Sequence, residues 1–358
     1  MKIGIIHGFV GGGGGTEKTL LSIIESLSER GHNITLYTVS KPSIEISGIR
    51  IISSLPFRLP ILGLYQRYLE SKLIEKAKDV DIIIQASGGL VLPQENNKKI
   101  IIYCHHDFQN ETKKDTTKYK GLWSWYYKPY YLLSQKFIKH IADKNIVLIS
   151  NSKFIQDSIK KKFSKNSVII YPPVDLEIFQ NDVKKEQSVI TISRYSQEKN
   201  LEFAVDVLRD FDAKYTIIGN TRSKVNELYF ENLKTKVKNS KAEILLLKNV
   251  ERSTVIESLK KSKVYFHASP ETFGISVVES IAAGCVPIVP NNSAHEETVP
   301  IQELRYDQNN KKEAQEKVKK ALAGNYDELI KPLRESIKSY DKNVFKKSFS
   351  SFVENIQK

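Results

Sequence analysis

Short apolar runs of strand length alternate with longer amphipathic stretches along most of this chain. The first run, Lys2–Ile6, is followed by glycines and then by a segment from Thr16 to Arg30 with apolar residues at i, i+4 and i+7. That spacing places one apolar stripe on a helix, which Gly31 is suited to end. Ile34–Val39 then has the composition of a second strand. The repeated order of strand and helix predicts a doubly wound α/β fold.

A second series of strands and helices begins after a proline-containing stretch, Tyr171–Asp175, and a polar stretch, Asn181–Ser188. We therefore predict two Rossmann-like domains that face each other across a cleft, a common place for a ligand. The predicted boundaries are 1–174 for the N-terminal domain, 175–187 for a linker, 188–330 for the C-terminal domain, and 331–358 for a helical tail that packs back on the N-terminal domain.

Composition limits the classes of protein that remain. The 358 residues carry 55 Lys and Arg against 41 Asp and Glu, a formal net charge of +14, which favours an anionic partner such as a nucleotide, a nucleic acid or a membrane face. The charged and hydrophobic fractions, 27% and 40%, exclude global disorder. No apolar run reaches the roughly 18 residues of a membrane-spanning helix. Cys104 and Cys285 have neither disulfide-framework nor zinc-site spacing, which is typical of thiols in a reducing compartment, so we expect a cytoplasmic protein.

The glycine run Gly11–Gly15 lies between the first strand and the first helix, where backbone amides can approach an anion. It does not fit the dinucleotide fingerprint in any register, because the last required glycine falls on Thr16, Glu17 or Lys18. It is not a Walker A loop either, because Glu17 precedes Lys18. An anion-binding loop and a plain surface turn both remain open.

Two cations follow the first strand of the second series. Arg194 and Lys199 have a spacing that can direct both charges at one diphosphate. The alternative is a solvated basic loop without a ligand.

The most informative stretch is Pro270–Gly284, which follows a predicted strand and has the pattern of a turn and a helix that stops at Gly284. Glu271 precedes the helix and Glu279 lies in its second turn. Backbone amides at such a helix start can bind a phosphate or a sugar oxygen, and each carboxylate can bind a pair of hydroxyls. A helix with an ordinary acidic start would explain one of the two glutamates only.

These motifs, in this order, resemble the family 4 retaining glycosyltransferases of the GT-B fold over nearly the whole chain. The shared features are the Glu-x7-Glu pair, the glycine loop, and the stretches "GHNITLYT", "NSKF", "YPPVD", "FGISVVES" and "PIVP". Within the family, the chain most resembles the GDP-mannose-dependent mannosyltransferases of lipid-linked oligosaccharide synthesis. The resemblance implies an N-terminal acceptor domain and a C-terminal nucleotide-sugar domain.

The resemblance also implies roles for the loop residues. The donor phosphate or sugar would meet the glycine loop at Gly12, Gly13, Gly14 and Gly15. Arg194 and Lys199 would neutralise the diphosphate leaving group, with no metal and no other cofactor. Since glycosyl transfer builds negative charge on that group, cations serve it more than a nucleophile does. We expect retention by same-face attack, with the diphosphate accepting the acceptor proton.

For the sugar and nucleoside, the resemblance implies that Glu271 holds the donor hexose together with backbone amides of Phe273, Gly274 and Ile275. Glu279 would bind the nucleotide ribose. The family also places a catalytic histidine at the end of an N-domain strand, which we identify as His105, with His106 as the alternative. We expect packing or surface roles for the other histidines, which are His7, His32, His140, His267 and His295.

One further segment, Lys113–Tyr131, contains both tryptophans, Trp123 and Trp125, among tyrosines and lysines. Aromatic rings interleaved with lysines suit a lipid headgroup interface, and a domain-core helix with solvated lysines is the alternative. The segment predicts a peripheral contact with the cytoplasmic membrane face.

The sequence thus predicts an enzyme that moves a hexose, mannose by resemblance, from a nucleotide-sugar donor to a glycan or lipid-linked acceptor. A UDP-sugar donor with a soluble glycan acceptor is the first alternative. A non-catalytic nucleic-acid-binding protein would explain the charge but not Glu271 and Glu279, so no nucleic acid is expected as a partner. A nicotinamide oxidoreductase is disfavoured by the missing fingerprint.

Overall fold

The computed structural model describes residues 1–11, 13–57, 66–88, 98–107, 141, 145–180, 183–238 and 240–356. The chain forms two compact units, the first made of residues 1–173 and 343–358 and the second of residues 174–342. Gly12 and the aromatic segment Lys113–Tyr131 lie outside the described residues. None of the helices in the described ranges has both the length and the apolar character needed to cross a bilayer.

The first unit is built on a parallel sheet with the strand order β3-β2-β1-β4-β5-β6-β7. The strands are β1 (Lys2–His7), β2 (Asn33–Ser40), β3 (Arg50–Leu55), β4 (Ile82–Gln85), β5 (Lys99–Cys104), β6 (Ile146–Ser150) and β7 (Val168–Ile169). The helices between them are α1 (Gly15–Glu29), α2 (Gln66–Lys76) and α3 (Lys153–Phe163).

The strands of this sheet are rich in isoleucine because both faces of the sheet are buried. In β5, Ile100 and Ile102 belong to one hydrophobic cluster, and Ile101 between them belongs to the cluster on the other face. Alternation of side chains along a strand produces this division. Strands buried on both faces have continuous apolar sequences, which is why these runs lack a polar alternation.

The last helix, α11 (Lys342–Ile356), packs on the first unit. Its Phe345, Phe349 and Val353 share a hydrophobic cluster with residues of β1 and α1. The Lys346 ammonium lies 3.1 Å from the Glu25 carboxylate and also contacts Glu29, both on α1. The chain end is therefore a component of the first unit's core.

The second unit contains a parallel sheet with the order β10-β9-β8-β11-β12-β13. Its strands are β8 (Glu186–Ile192), β9 (Lys214–Gly219), β10 (Glu243–Lys248), β11 (Ser262–Phe266), β12 (Val286–Pro290) and β13 (Arg305–Tyr306). Its helices are α4 (Leu201–Leu208), α5 (Lys224–Val237), α6 (Arg252–Lys261), α7 (Ile275–Ala282), α8 (His295–Thr298), α9 (Lys311–Leu322) and α10 (Ile330–Ser336).

The structural divisions differ from the predicted boundaries at two places. Residues 331–342, predicted as part of the tail, belong to the second unit. The predicted linker 175–187 also belongs to that unit: the Phe179 side chain is buried, and the Lys185 ammonium donates to the Ala283 carbonyl at 2.7 Å. Its polar composition suggested a solvated connection, but these side chains have partners that are distant in sequence.

Strand order reverses at β1 and β4 in the first unit, and at β8 and β11 in the second. In open parallel sheets, the loops that follow the strands at such a switch point border a crevice for ligands. Because the Arg194–Lys199 loop follows β8 and the Glu271 loop follows β11, the sheet order brings these two predicted motifs to one edge.

Replacement of Phe349 by alanine tests the role of α11. We expect the free energy of unfolding to fall by about 3–5 kcal/mol, because the ring is fully buried in the core of the first unit. Urea unfolding measures the effect. Val344→Ala in the same helix is the control, since that side chain is 44% exposed and its loss should have little effect. Equal losses in both variants would contradict packing by α11.

Candidate functional site

Glu271 lies on the loop between β11 and α7, in the second unit. Gly274 precedes the helix with a φ of +89°, a left-handed conformation that favours glycine. A Cβ atom at Gly274 would also lie 3.2 Å from Cε1 of His295, so the turn is tight on both counts. This turn directs the chain from the strand end into α7.

Lys199 and Glu271 form an ion pair between the two loops at the switch point. The 3₁₀ turn Gln197–Lys199 ends the loop after β8, and the Lys199 ammonium lies 2.5 Å from Oε1 of Glu271. Their side chains are only 17% and 19% exposed. Burial raises the pKa of Glu271, but the Lys199 charge and the His267 hydrogen bond outweigh burial, and the pKa falls well below its usual range. Glu271 is therefore an anion at neutral pH.

His267, for which a packing or surface role was predicted, is a direct partner of Glu271. Its Nε2 lies 2.9 Å from Oε1 of Glu271, and its Nδ1 lies 3.1 Å from the Tyr265 hydroxyl. Both side chains are buried, and burial raises the pKa of Tyr265 well above its ordinary value, so the hydroxyl keeps its proton. The apolar run around His267 concealed this role; the only signal in the sequence is a histidine four residues before a loop glutamate.

His295 supports the same loop from α8. Its ring contacts the His267 ring edge-to-face, with 5.4 Å between centroids, and its Nε2 lies 3.2 Å from the Ser269 carbonyl. Burial lowers the pKa of His295 to about 3, so the ring is neutral. The predicted packing role fits His295, which fills the space beside Gly274.

Glu279, the second carboxylate of the predicted pair, is buried in α7 and bound by Arg252. The guanidinium is bidentate, with Nη2 to Oε1 at 2.5 Å and Nη1 to Oε2 at 3.1 Å. Arg252 also lies over the Phe179 ring at 5.7 Å. The sequence analysis did not identify Arg252, because its pairing depends on α6 lying against α7.

Phe273, Gly274 and Ile275 form the predicted helix start. The Phe273 ring is buried and meets the Tyr340 ring edge-to-face at 5.1 Å, so its side chain has a packing role. The first amides of α7 have no carbonyl of their own helix to bind, as at every helix start. They remain the candidate donors to an anion or a sugar oxygen.

The structure does not bring Arg194 into contact with Glu271. Its guanidinium lies 3.2 Å from the Glu198 carboxylate, four residues along the same loop, and half of its side chain is exposed. The two predicted leaving-group cations thus have different settings, since Lys199 is mostly buried and Arg194 is at the surface.

In the first unit, the glycine loop precedes α1. Gly13 has a φ of +64°, Gly14 caps the helix, and Gly15 is its first residue. The Glu17 carboxylate accepts a hydrogen bond from the Gly11 amide at 2.7 Å, which holds the loop against the first helical turn. A helix start preceded by glycines is a suitable place for an anion.

His105 lies in the same unit, directly after β5, and is buried. Its Nε2 lies 3.3 Å from the Ala86 carbonyl, and burial together with the neighbouring His106 and His7 lowers its pKa to about 3. His7 is also buried, and its pKa is lowered to about 4 for the same main reason. His106, the alternative, is exposed. These environments favour neutral His105 and His7 rings.

Within the described part of the chain, no group of three or more His, Cys, Asp or Glu side chains is arranged to hold a metal ion.

Two units, each with a parallel sheet covered by helices, are the architecture of the GT-B glycosyltransferases. HepE of Anabaena, solved in complex with UDP and glucose, superposes with a TM-score of 0.77 at 14% sequence identity and covers 99% of each chain. Residues 13–178 match the family described as Glycosyltransferase Family 4, and residues 174–344 match the one described as Glycosyl transferases group 1. The chain belongs to the glycosyltransferases that combine these two domains, as its sequence motifs predicted.

Two relatives with mannosyltransferase names refine the likeness. The chain is 29% identical over 239 residues to Alpha-1,3/1,6-mannosyltransferase ALG2 of Candida glabrata, a match of 57% of this chain and 50% of the relative. It is 24% identical over 281 residues to the GDP-Man:Man(3)GlcNAc(2)-PP-Dol alpha-1,2-mannosyltransferase of Dictyostelium discoideum, a match of 69% and 54%. The matches span about half the length of these relatives. The predicted likeness to mannosyltransferases is confirmed.

Removal of Arg252 tests how far the buried Glu279 carboxylate depends on its bidentate partner. We expect Arg252→Ala to lower the free energy of unfolding by about 1.5–3 kcal/mol, because hydrogen bonds to a buried charge are lost. The control is Lys236→Ala, which breaks the 2.6 Å ion pair between Lys236 and Asp206. Both of these side chains are about one-third exposed. That loss should stay below about 1 kcal/mol. Similar losses in the two variants, measured by urea unfolding, would contradict the dependence.

Proposed function

We propose that this protein transfers a hexose from a nucleoside diphosphate sugar to a hydroxyl group of a glycan or lipid-linked acceptor. The observation that carries the proposal is Glu271, an anion held by Lys199 and His267 beside the start of α7. A carboxylate with fixed orientation can accept hydrogen bonds from sugar hydroxyls, while an adjacent cation and helix amides bind phosphate oxygens. The family matches over 13–344 support the same reaction class.

We take mannose as the hexose and GDP as the carrier. Both relatives carry mannosyltransferase names, and the name of the second includes GDP-Man as donor and a PP-Dol-linked glycan as acceptor. HepE binds UDP and glucose, so a UDP-sugar is the alternative donor. Glu279 is assigned to the nucleotide ribose, and Arg252 fixes the orientation of that carboxylate.

The leaving diphosphate gains negative charge as the glycosidic bond breaks, and cations near that charge lower the barrier. Lys199 lies within reach of a group bound beside Glu271, and Arg194 is on the same loop with an exposed guanidinium that can turn toward it. The proposal therefore requires no metal and no other cofactor. We further assign retention of the anomeric configuration to this reaction. In the first unit, His105 is assigned as the catalytic histidine, and the glycine loop of Gly12 to Gly15 is assigned to the donor phosphate or sugar.

Loss of either member of the ion pair should slow the reaction. For Lys199→Met we expect turnover of GDP-mannose to fall on the order of 100-fold, because the charge that stabilises the diphosphate is lost. For Glu271→Gln we expect a fall of about 10- to 100-fold, since one charged hydrogen bond contributes about 1.5–3 kcal/mol. The measurement is the initial rate of mannose release or transfer, made in EDTA.

Lys236→Met, on α5 of the same unit, removes an ammonium that pairs with Asp206; it is the matched control and should keep the wild-type rate. A wild-type rate in Glu271→Gln would overturn the assignment of Glu271. If EDTA abolished the wild-type rate and a divalent ion restored it, the metal-free mechanism would be wrong.

We further propose that the acceptor is lipid-linked and that the protein acts at the cytoplasmic membrane face, without a nucleic acid partner. The support is the dolichol-linked acceptor in the relative's name, the net charge of +14, and the composition of Lys113–Tyr131. Lysines near an anionic leaflet contribute about 1 kcal/mol each, and aromatic residues favour the interface.

Vesicle co-sedimentation tests the membrane contact. We expect the wild type to sediment with phosphatidylserine-containing vesicles, less so at high salt, and the Trp123→Ala/Trp125→Ala double variant to bind more weakly because two interfacial rings are lost. Phosphatidylcholine vesicles and a circular dichroism spectrum of each protein are the controls. A folded double variant that sediments like the wild type would contradict the contact and favour a soluble glycan acceptor.

A further inference from the structure

A chain of buried hydrogen bonds ends on Glu271. It starts at Ser276 on α7, whose Oγ lies 2.8 Å from the Tyr265 hydroxyl, and continues through Nδ1 and Nε2 of His267 to Oε1 of the glutamate. The Tyr265 and His267 side chains are 0% and 1% exposed, and their rings stack with an interplanar angle of 12°. Such packing fixes the His267 ring in one orientation.

The position of one proton in this chain follows from its Glu271 end. Glu271 is ionised, so Oε1 only accepts, and Nε2 of His267 must carry the proton between them. The second ring nitrogen, Nδ1, lies within hydrogen-bond distance of the Tyr265 hydroxyl, at 3.1 Å. His267 is thus held from both nitrogens, as histidine ligands are oriented by a partner on their second nitrogen.

Both donors of Glu271 bind the same oxygen. Oε1 accepts from the Lys199 ammonium at 2.5 Å and from His267 at 2.9 Å. Among the residues that the structure describes, no donor is placed on Oε2. One oxygen of the carboxylate is therefore engaged twice, and the other keeps its lone pairs for a ligand.

We propose that His267 is a positioning residue of the donor site: it holds Oε1 of Glu271 so that Oε2 accepts a hydroxyl of the donor hexose. The inference rests on the proposed function. Lys199 cannot provide this alone, because its ammonium is shared with the diphosphate that it is proposed to neutralise. The buried His267 ring, held on both nitrogens, keeps the carboxylate oriented while Lys199 serves the phosphate.

Two substitutions separate the hydrogen bond from the packing of the ring. His267→Gln places an amide donor at a similar distance from the backbone, and His267→Leu keeps a comparable volume without a donor. We expect turnover of GDP-mannose to fall on the order of 100-fold in His267→Leu, because displacement of a group that orients the substrate has effects of this size. His267→Gln should recover at least a tenth of the wild-type turnover.

Binding of GDP alone, measured by calorimetry, distinguishes positioning from a structural defect. Glu271 is assigned to the hexose, so the Kd for GDP should change less than about twofold in both variants. His32→Gln, in the first unit, is the matched histidine control. Wild-type turnover in His267→Leu, equal losses in the two variants, or loss of GDP binding with either would overturn the positioning role. A wild type that neither binds GDP nor turns over GDP-mannose, and that also fails with UDP and UDP-glucose, would instead refute the proposed function.

One test uses the wild-type protein, so its main result does not depend on whether a variant folds. Long-range 1H–15N spectra report the tautomer of each histidine, and we expect His267 to carry its proton on Nε2, with the signal assigned by its absence in His267→Gln. Tyr265→Phe removes the hydroxyl on Nδ1 while keeping the ring, and it should shift the Nδ1 resonance. A His267 ring that carries a proton on Nδ1 and none on Nε2 in the wild type would overturn the arrangement.

Discussion

The site in the second unit depends on one constraint: Glu271 must remain charged with four-fifths of its side chain out of solvent. A carboxylate in that position is stable as an anion only while donors hold it, since the cost of losing water is otherwise uncompensated. Lys199 supplies the charge and His267 the directional hydrogen bond. The loop conformation, the buried Tyr265 hydroxyl and the packing of His295 all serve to keep those two donors in place.

Sheet topology brings Lys199 and Glu271 together. Lys199 and Glu271 are separated by much of the second unit in sequence, and they meet because β8 and β11 are neighbours on either side of the switch point. Parallel neighbours end at the same edge, so the loops that follow them are adjacent. The pair also connects the two loops, and a change at either residue should therefore alter the orientation of both.

Local patterns in the sequence were sufficient for the fold class and for the positions of three residues: Glu271 just before a helix, Glu279 within it, and Lys199 on the loop after a strand. Each of these residues has a fixed place relative to a strand end or a helix start, which periodicity and glycines mark. His267 and Arg252 were missed because their roles arise from partners, and a partner across a loop or on another helix leaves no periodic trace. The boundary of the tail was misplaced for a similar reason: residues 331–342 are as helical in pattern as α11, and only tertiary packing decides which unit each stretch joins.

Both cations of the loop after β8 are bonded to carboxylates, Arg194 to Glu198 and Lys199 to Glu271. The difference in burial gives these pairs different consequences. The Arg194 pair is half exposed and therefore weak, so the guanidinium can leave Glu198 for a doubly charged diphosphate at little cost. The Lys199 pair is mostly buried, and in the proposed reaction its ammonium would stay in place and serve carboxylate and phosphate together. A mobile surface cation combined with a fixed buried one would let charge follow the departing diphosphate without releasing the carboxylate that orients the sugar.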